Sequence, residues 1–210
     1  MDFIKELSKK HPELLPCEED IYACVDAVCD MYEAKGTLLM CGNGGSAADC
    51  SHIAGELMKG FLLKRPPTSE ETDRLRSQNE LVDHAEKFQR GIRAISLVEQ
   101  SALISAFAND VDPELVYAQS VFALGKREDL FLGISTSGNS KNVVLAAATA
   151  KALGLKTIAF TGEKDSKLSA ICDITVKVPS SETFEVQQYH LPLYHAVCAE
   201  VEKRLFKSNK

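Results

Sequence analysis

Apolar residues return every three to four positions through the first part of the chain and then change their period. Ile21, Cys24, Val25, Val28 and Tyr32 fall on one face of a helix predicted from about Glu18 to Ala34, after a shorter amphipathic helix ending near Lys10. Gly36 is expected to stop the second helix. Beyond it the apolar residues gather into short unbroken runs at 38–41, 94–97, 130–135, 157–161 and 174–178, the pattern of strands covered on both faces. Helical stretches at 46–59, 98–108, 113–124, 140–153 and 168–171 separate those runs, and a last helix follows from Thr183. This alternation predicts an α/β fold made of βα units around a parallel sheet, with ligands at the carboxyl ends of its strands.

One stretch breaks the rhythm. From Lys64 to Gly91 the chain is highly charged, with a capping-box pattern at Thr68 and Glu71 and a thin apolar stripe at Leu75, Leu81, Val82, Ala85 and Phe88. An extra helix is expected at about 64–91, lying on the body of the protein or serving as a lid or subunit contact. With the N-terminal helices at 1–35, residues 1–210 read as one domain.

Composition narrows the class. A formal net charge of −6 with dispersed lysines and arginines argues against a nucleic-acid footprint. No apolar stretch is long enough for a bilayer and the N-terminus does not read as a signal, so a cytoplasmic protein with no membrane partner is expected. Seven cysteines form no CxxC pair and mostly sit in apolar patterns, as reduced, buried small hydrophobes do.

The chemistry gathers at two glycine-containing turns. Ser135-Thr136-Ser137-Gly138-Asn139-Ser140 lies where a buried strand hands over to a helix, so that hydroxyls and free N–H groups meet at a positive helix end, as a phosphate cradle requires. Gly42-Asn43-Gly44-Gly45-Ser46 holds the equivalent place after the strand at 38–41. On the helix that follows, His52 and Glu56 stand four residues apart on one face, a spacing that can hold a divalent metal or set a carboxylate base beside an imidazole. It is equally the spacing of an ordinary surface pair. In the C-terminal helix Gln187, His190 and His195 interrupt an apolar surface. His190 is expected to be a hydrogen-bonded core residue, and His11 and His84 to be exposed.

Asn43-Gly44-Gly45-Ser46 with His52 and Glu56, the 135–140 turn, the Asn109-Asp110 pair and the stretch from Gln187 to His195 together resemble the phosphoheptose isomerases, the sedoheptulose 7-phosphate isomerase branch of the sugar isomerase (SIS) domain family. The resemblance covers nearly the whole chain, with the motifs in family order. It implies a flavodoxin-like three-layer αβα sandwich around a five-stranded parallel sheet, assembled as a homotetramer with active sites at subunit interfaces. Ser135, Thr136, Ser137 and Ser140 would bind the phosphate of the sugar, and Asn43, Gly44, Gly45, Asn109, Asp110 and Gln187 would line the substrate. His52, Glu56, Gln187 and His195 would hold one zinc ion per subunit, Glu56 and His195 also acting as the acid/base pair.

Gln187 and His195 are eight residues apart, about 12 Å of rise on a straight helix, so a late helix start, a bend at Pro192 or a site shared between subunits is needed to unite them, and the shared site is favoured. Glu185, where the family usually has a basic residue, and the charged insert depart from the pattern and leave the substrate open to another ketose phosphate. A non-catalytic relative that binds the bacterial replication initiator lacks the acid and the histidine found here as Glu56 and His195. A nucleotide-binding enzyme is disfavoured because the first turn does not match G-x-G-x-x-G.

Overall fold

A computed structural model describes residues 1–207. Five parallel strands, β1 (Leu38–Gly42), β2 (Ala94–Ser96), β3 (Leu130–Ile134), β4 (Lys156–Thr161) and β5 (Ile174–Lys177), form one sheet in the order β2-β1-β3-β4-β5. Leu38 and Met40 of β1, with Leu130 and Leu132 of β3, face one core; Leu39, Cys41 and Phe131 face the other. The unbroken apolar runs therefore reflect burial on both sides. The first face is covered by α1 (Phe3–Lys10), α2 (Glu18–Glu33), α3 (Gly45–Met58) and α9 (Thr183–Phe206). The second is covered mainly by α6 (Val116–Leu124), α7 (Lys141–Ala152) and α8 (Lys167–Ile171), with α5 (Ser101–Asp110) against its margin. This is the expected αβα sandwich. No helix among the described residues is long and apolar enough to cross a membrane.

The end of α2 differs from expectation. Lys35, not Gly36, takes the left-handed conformation, at φ 61°, with Lys35 N donating to Tyr32 O and Gly36 N to Met31 O. These are the two bonds of a Schellman stop. Gly36 is required for another reason: a Cβ there would lie 2.1 Å from the carbonyl oxygen of Glu128.

The charged stretch forms α4 (Ser69–Arg76), started by the Thr68/Glu71 capping box, and two single turns at 79–81 and 85–87. α4 buries no residue and packs against those turns. Arg90 N donates to Arg65 O at 2.7 Å, so the segment leaves and re-enters the body through a narrow neck.

Beneath the neck lies a charge cluster that the sequence hides. Arg65 and Glu202 are both fully buried. Glu202 accepts from Phe61 N, Leu62 N and Leu63 N at 2.7 to 2.9 Å and from Arg65 Nε at 2.7 Å. Arg65 Nη1 donates to Leu57 O at 2.8 Å, and the guanidinium lies over the Phe206 ring. Burial alone would raise the pKa of Glu202, yet these donors hold it below the ordinary glutamate value of 4.5. Its stabilising contribution is complete above the pKa of an unfolded glutamate and is lost as the pH falls through the lower folded value. Glu202→Gln replaces an acceptor with an NH2 that faces other donors and leaves Arg65 unpaired. We expect a loss of about 3–5 kcal/mol in urea denaturation at neutral pH, shrinking toward acid; an unchanged midpoint would refute the clamp.

Candidate active site

Strands β1 and β3 are neighbours, and their connections leave toward opposite faces: β1 leads to α3 on one side and β3 to α7 on the other. A crevice opens at such a switch point. Both glycine turns border it, and neither α3 nor α7 has a side-chain cap, whereas Asp2, Thr68 and Ser166 cap α1, α4 and α8. Two helix starts thus keep N–H groups and positive dipole ends at one place.

Within the second turn, Ser135 is buried and its Oγ lies 3.0 Å from Ser140 Oγ. Gly138 N donates to Ser135 O, and Ser137 Oγ accepts from Asn139 N. Gly138 sits at φ 64°, and a Cβ on it would lie 2.1 Å from Ser166 Oγ, so both backbone and space demand glycine. The two turns are tied together. Asn43 Nδ2 donates to Asn142 Oδ1 and Asn142 Nδ2 to Asn43 Oδ1, each at 2.9 Å, while the Tyr117 hydroxyl donates to Gly42 O at 3.0 Å. Asn142, two residues past the serine-rich motif, was not singled out from the sequence; its place in the first turn of a helix after an anion-binding loop was the available signal.

Helices α3 and α9 run side by side in the same direction. Gln187 lies against Gly45, where a Cβ would meet its Nε2 at 2.5 Å. Two turns further along, His52 Nε2 is 3.3 Å from Glu56 Oε1 and 3.5 Å from His195 Nε2. His52, Glu56 and His195 therefore meet within one chain. Gln187 does not join them, because α9 passes through Pro192 without interruption and keeps the two residues about 12 Å apart. Asn109 and Asp110 lie exposed at the end of α5, bonded to each other at 2.8 Å, and no hydrogen bond among the described residues links them to either turn.

The trio has its own surroundings. Lys59 Nζ bonds Glu56 Oε2 at 2.7 Å, and that bond chiefly holds the Glu56 carboxyl below its ordinary range. Burial, then the neighbouring His52, lowers the pKa of His195, and Phe61 stacks on its ring at 5.7 Å between centroids. A cavity of about 300 Å³ opens beside His195, lined also by Phe3, Leu7, Phe61 and Pro192. His190 is fully buried, and neither ring nitrogen completes a hydrogen bond although the Thr161 backbone lies beside it, contrary to the expected partnered core residue. Burial pushes its pKa down to about 4, which keeps it neutral. The cysteines are all free.

A SIS domain family profile matches residues 99–199. A phosphoheptose isomerase of Helicobacter pylori (strain P12) is 36% identical over 205 residues, covering 98% of this chain and 93% of its own length. The chain belongs to the phosphoheptose isomerase family. Two solved phosphoheptose isomerases agree with it throughout: one from Neisseria gonorrhoeae (27% identity, TM-score 0.71, 95% of this chain and 98% of that one) and one from Francisella tularensis (25% identity, TM-score 0.73, 97% and 100%). As a phosphoheptose isomerase it is an enzyme of aldose–ketose interconversion, and the expected fold class and family resemblance both stand.

For a phosphoheptose isomerase, the 135–140 turn offers the groups a phosphate ester needs and the α3–α9 trio those of proton transfer. Replacing Gly138 by Ala should cost about 1–2 kcal/mol through the left-handed backbone, with the clash of the new Cβ against Ser166 adding to that, and raise KM for a sugar phosphate more than it lowers kcat. Steady-state kinetics with a thermal unfolding curve measures both; an unchanged KM would move the phosphate site elsewhere.

Proposed function

We propose that the protein converts sedoheptulose 7-phosphate to D-glycero-D-manno-heptose 7-phosphate as a cytoplasmic homotetramer. The observation that carries this is the meeting of Glu56 with His195 around His52, on helices that also border a hydroxyl-lined anion turn. Moving a carbonyl from C2 to C1 requires a proton to leave C1 and another to reach C2, through an enediol. Glu56, ionised by its bond to Lys59, takes the first from C1 and, once protonated, returns a proton to C2. His195, kept largely neutral by its surroundings, relays protons between the two oxygens. Ser135, Thr136, Ser137 and Ser140 hold the phosphate, and Asn43, Gly44, Gly45, Asn109 and Asp110 border the carbon chain.

Zinc fits the donors only in part. Ligand bonds of about 2.0–2.1 Å in a tetrahedron place donors roughly 3.3–3.4 Å apart, close to the two edges that meet at His52 Nε2. Yet no group of three or more His, Cys, Asp or Glu side chains among the described residues closes tightly enough to hold a metal ion, so the trio is an open half of a site. His52, Glu56 and His195 would hold the ion, with Gln187 as a fourth ligand from a neighbouring subunit. When bound, it would stabilise negative charge growing on the substrate oxygens. The 12 Å between Gln187 and His195 is what favours a shared site and thus an oligomer.

Glu56→Gln should lower turnover of sedoheptulose 7-phosphate by about 10²–10⁴-fold, with unfolding midpoint and inorganic phosphate binding preserved. A chelator should reduce wild-type activity and zinc should restore it. An NMR assay across pentulose, hexulose and heptulose phosphates would decide the substrate; no turnover of any of them with zinc supplied would overturn the proposal.

A further inference from the structure

A phosphate is held by donors, so the carbonyl oxygens of the 135–140 turn have to be occupied or turned aside before an anion can settle there. Backbone N–H groups take four of them: Gly138 N donates to Ser135 O, Gly162 N to Thr136 O, Leu168 N to Gly138 O and Val144 N to Ser140 O, at 2.9 to 3.1 Å. The carbonyl of Ser137, an exposed residue of the turn, is taken by a side chain instead, Asn139 Nδ2 at 2.8 Å. The oxygen of the same amide accepts from Lys167 N, at the start of α8, at 3.1 Å. With a carbonyl on one side and an N–H on the other, only this orientation of the amide satisfies both. Asn139 N also donates to Ser137 Oγ at 3.2 Å, which leaves that hydroxyl its own hydrogen to give elsewhere.

We infer that Asn139 is a positioning residue of this turn: its amide ties Ser137 to the start of α8 and occupies the carbonyl that no backbone N–H reaches. The inference rests on the phosphate-holding role proposed for Ser135, Thr136, Ser137 and Ser140. The N–H groups of Thr136, Ser137 and Ser140 meet no backbone acceptor among the described residues, and they are the donors a phosphate dianion needs. Removing the amide would leave the Ser137 carbonyl unpaired on the turn that receives the dianion, and would free residue 137 from α8. Asn139 therefore acts through its neighbours' groups rather than as a ligand of the phosphate. It lies inside the motif legible in the sequence, yet its task depends on Lys167, 28 positions away.

The test compares the full-length wild type with Asn139→Ala, which removes both bonds of the amide, and Asn139→Asp, which keeps an acceptor for Lys167 N but sets a negative charge against the Ser137 carbonyl. Asn139 is exposed, so both variants should unfold within a few degrees of wild type. Inorganic phosphate, titrated calorimetrically, should bind the wild type and slow hydrogen exchange at 135–142. Its affinity should fall about tenfold in Asn139→Ala, the scale of one lost hydrogen bond, and further in Asn139→Asp. With a ketose phosphate as substrate, KM should rise more than kcat falls. Wild-type affinity in Asn139→Ala would overturn the positioning role even if Asn139→Asp bound weakly, because that loss would be an effect of charge alone. A fall in kcat at unchanged KM would overturn it as well. If phosphate leaves exchange at 135–142 unaltered in the wild type, the phosphate reading of the turn fails first and takes the inference with it.

Discussion

The site depends on a buried ion pair that does not belong to it. Glu202, on the last third of α9, gathers three consecutive backbone N–H groups of 61–63 and the Arg65 guanidinium, which reaches on to the final turn of α3 at Leu57. α3 and α9 are thereby locked in register. That register sets His52 and Glu56 against His195, and the same clamp delivers Phe61 to the His195 ring. A buried ion pair is often a poor source of stability. Here its four donors specify how two helices and a loop are assembled.

Much of this architecture was legible in the amino-acid order. Local period distinguished α2 from the strands, and buried runs with glycine turns placed β1 and β3 ahead of their helices within a residue or two. The capping box at Thr68 was visible because both partners lie three residues apart. What could not be read depends on distant partners: Arg65 sits among charged residues and looks solvated, and its acceptor is 137 positions away. Asn142 was hidden for the same reason. The stop at Lys35 shows a subtler limit, since the nearby glycine was demanded by Glu128 rather than by the turn.

In the proposed assignment two tasks are separated by material. The proposed anion end is backbone and small hydroxyls at the rims of two central strands. The proposed proton-transfer end consists of long side chains on helical faces, one of them tethered by Lys59 and another flanked by a cavity. Gln187, at the head of α3, belongs spatially to the first region although the resemblance assigns it to the second. In the proposed shared site, a fourth ligand drawn from another copy would resolve that mismatch.

The reciprocal amide pair of Asn43 and Asn142 has a bearing on the shape of the crevice. Two bonds that satisfy each other across the crevice join its walls before any sugar arrives. The spacing of the two uncapped helix starts is therefore set by the chain's own side chains rather than by a ligand.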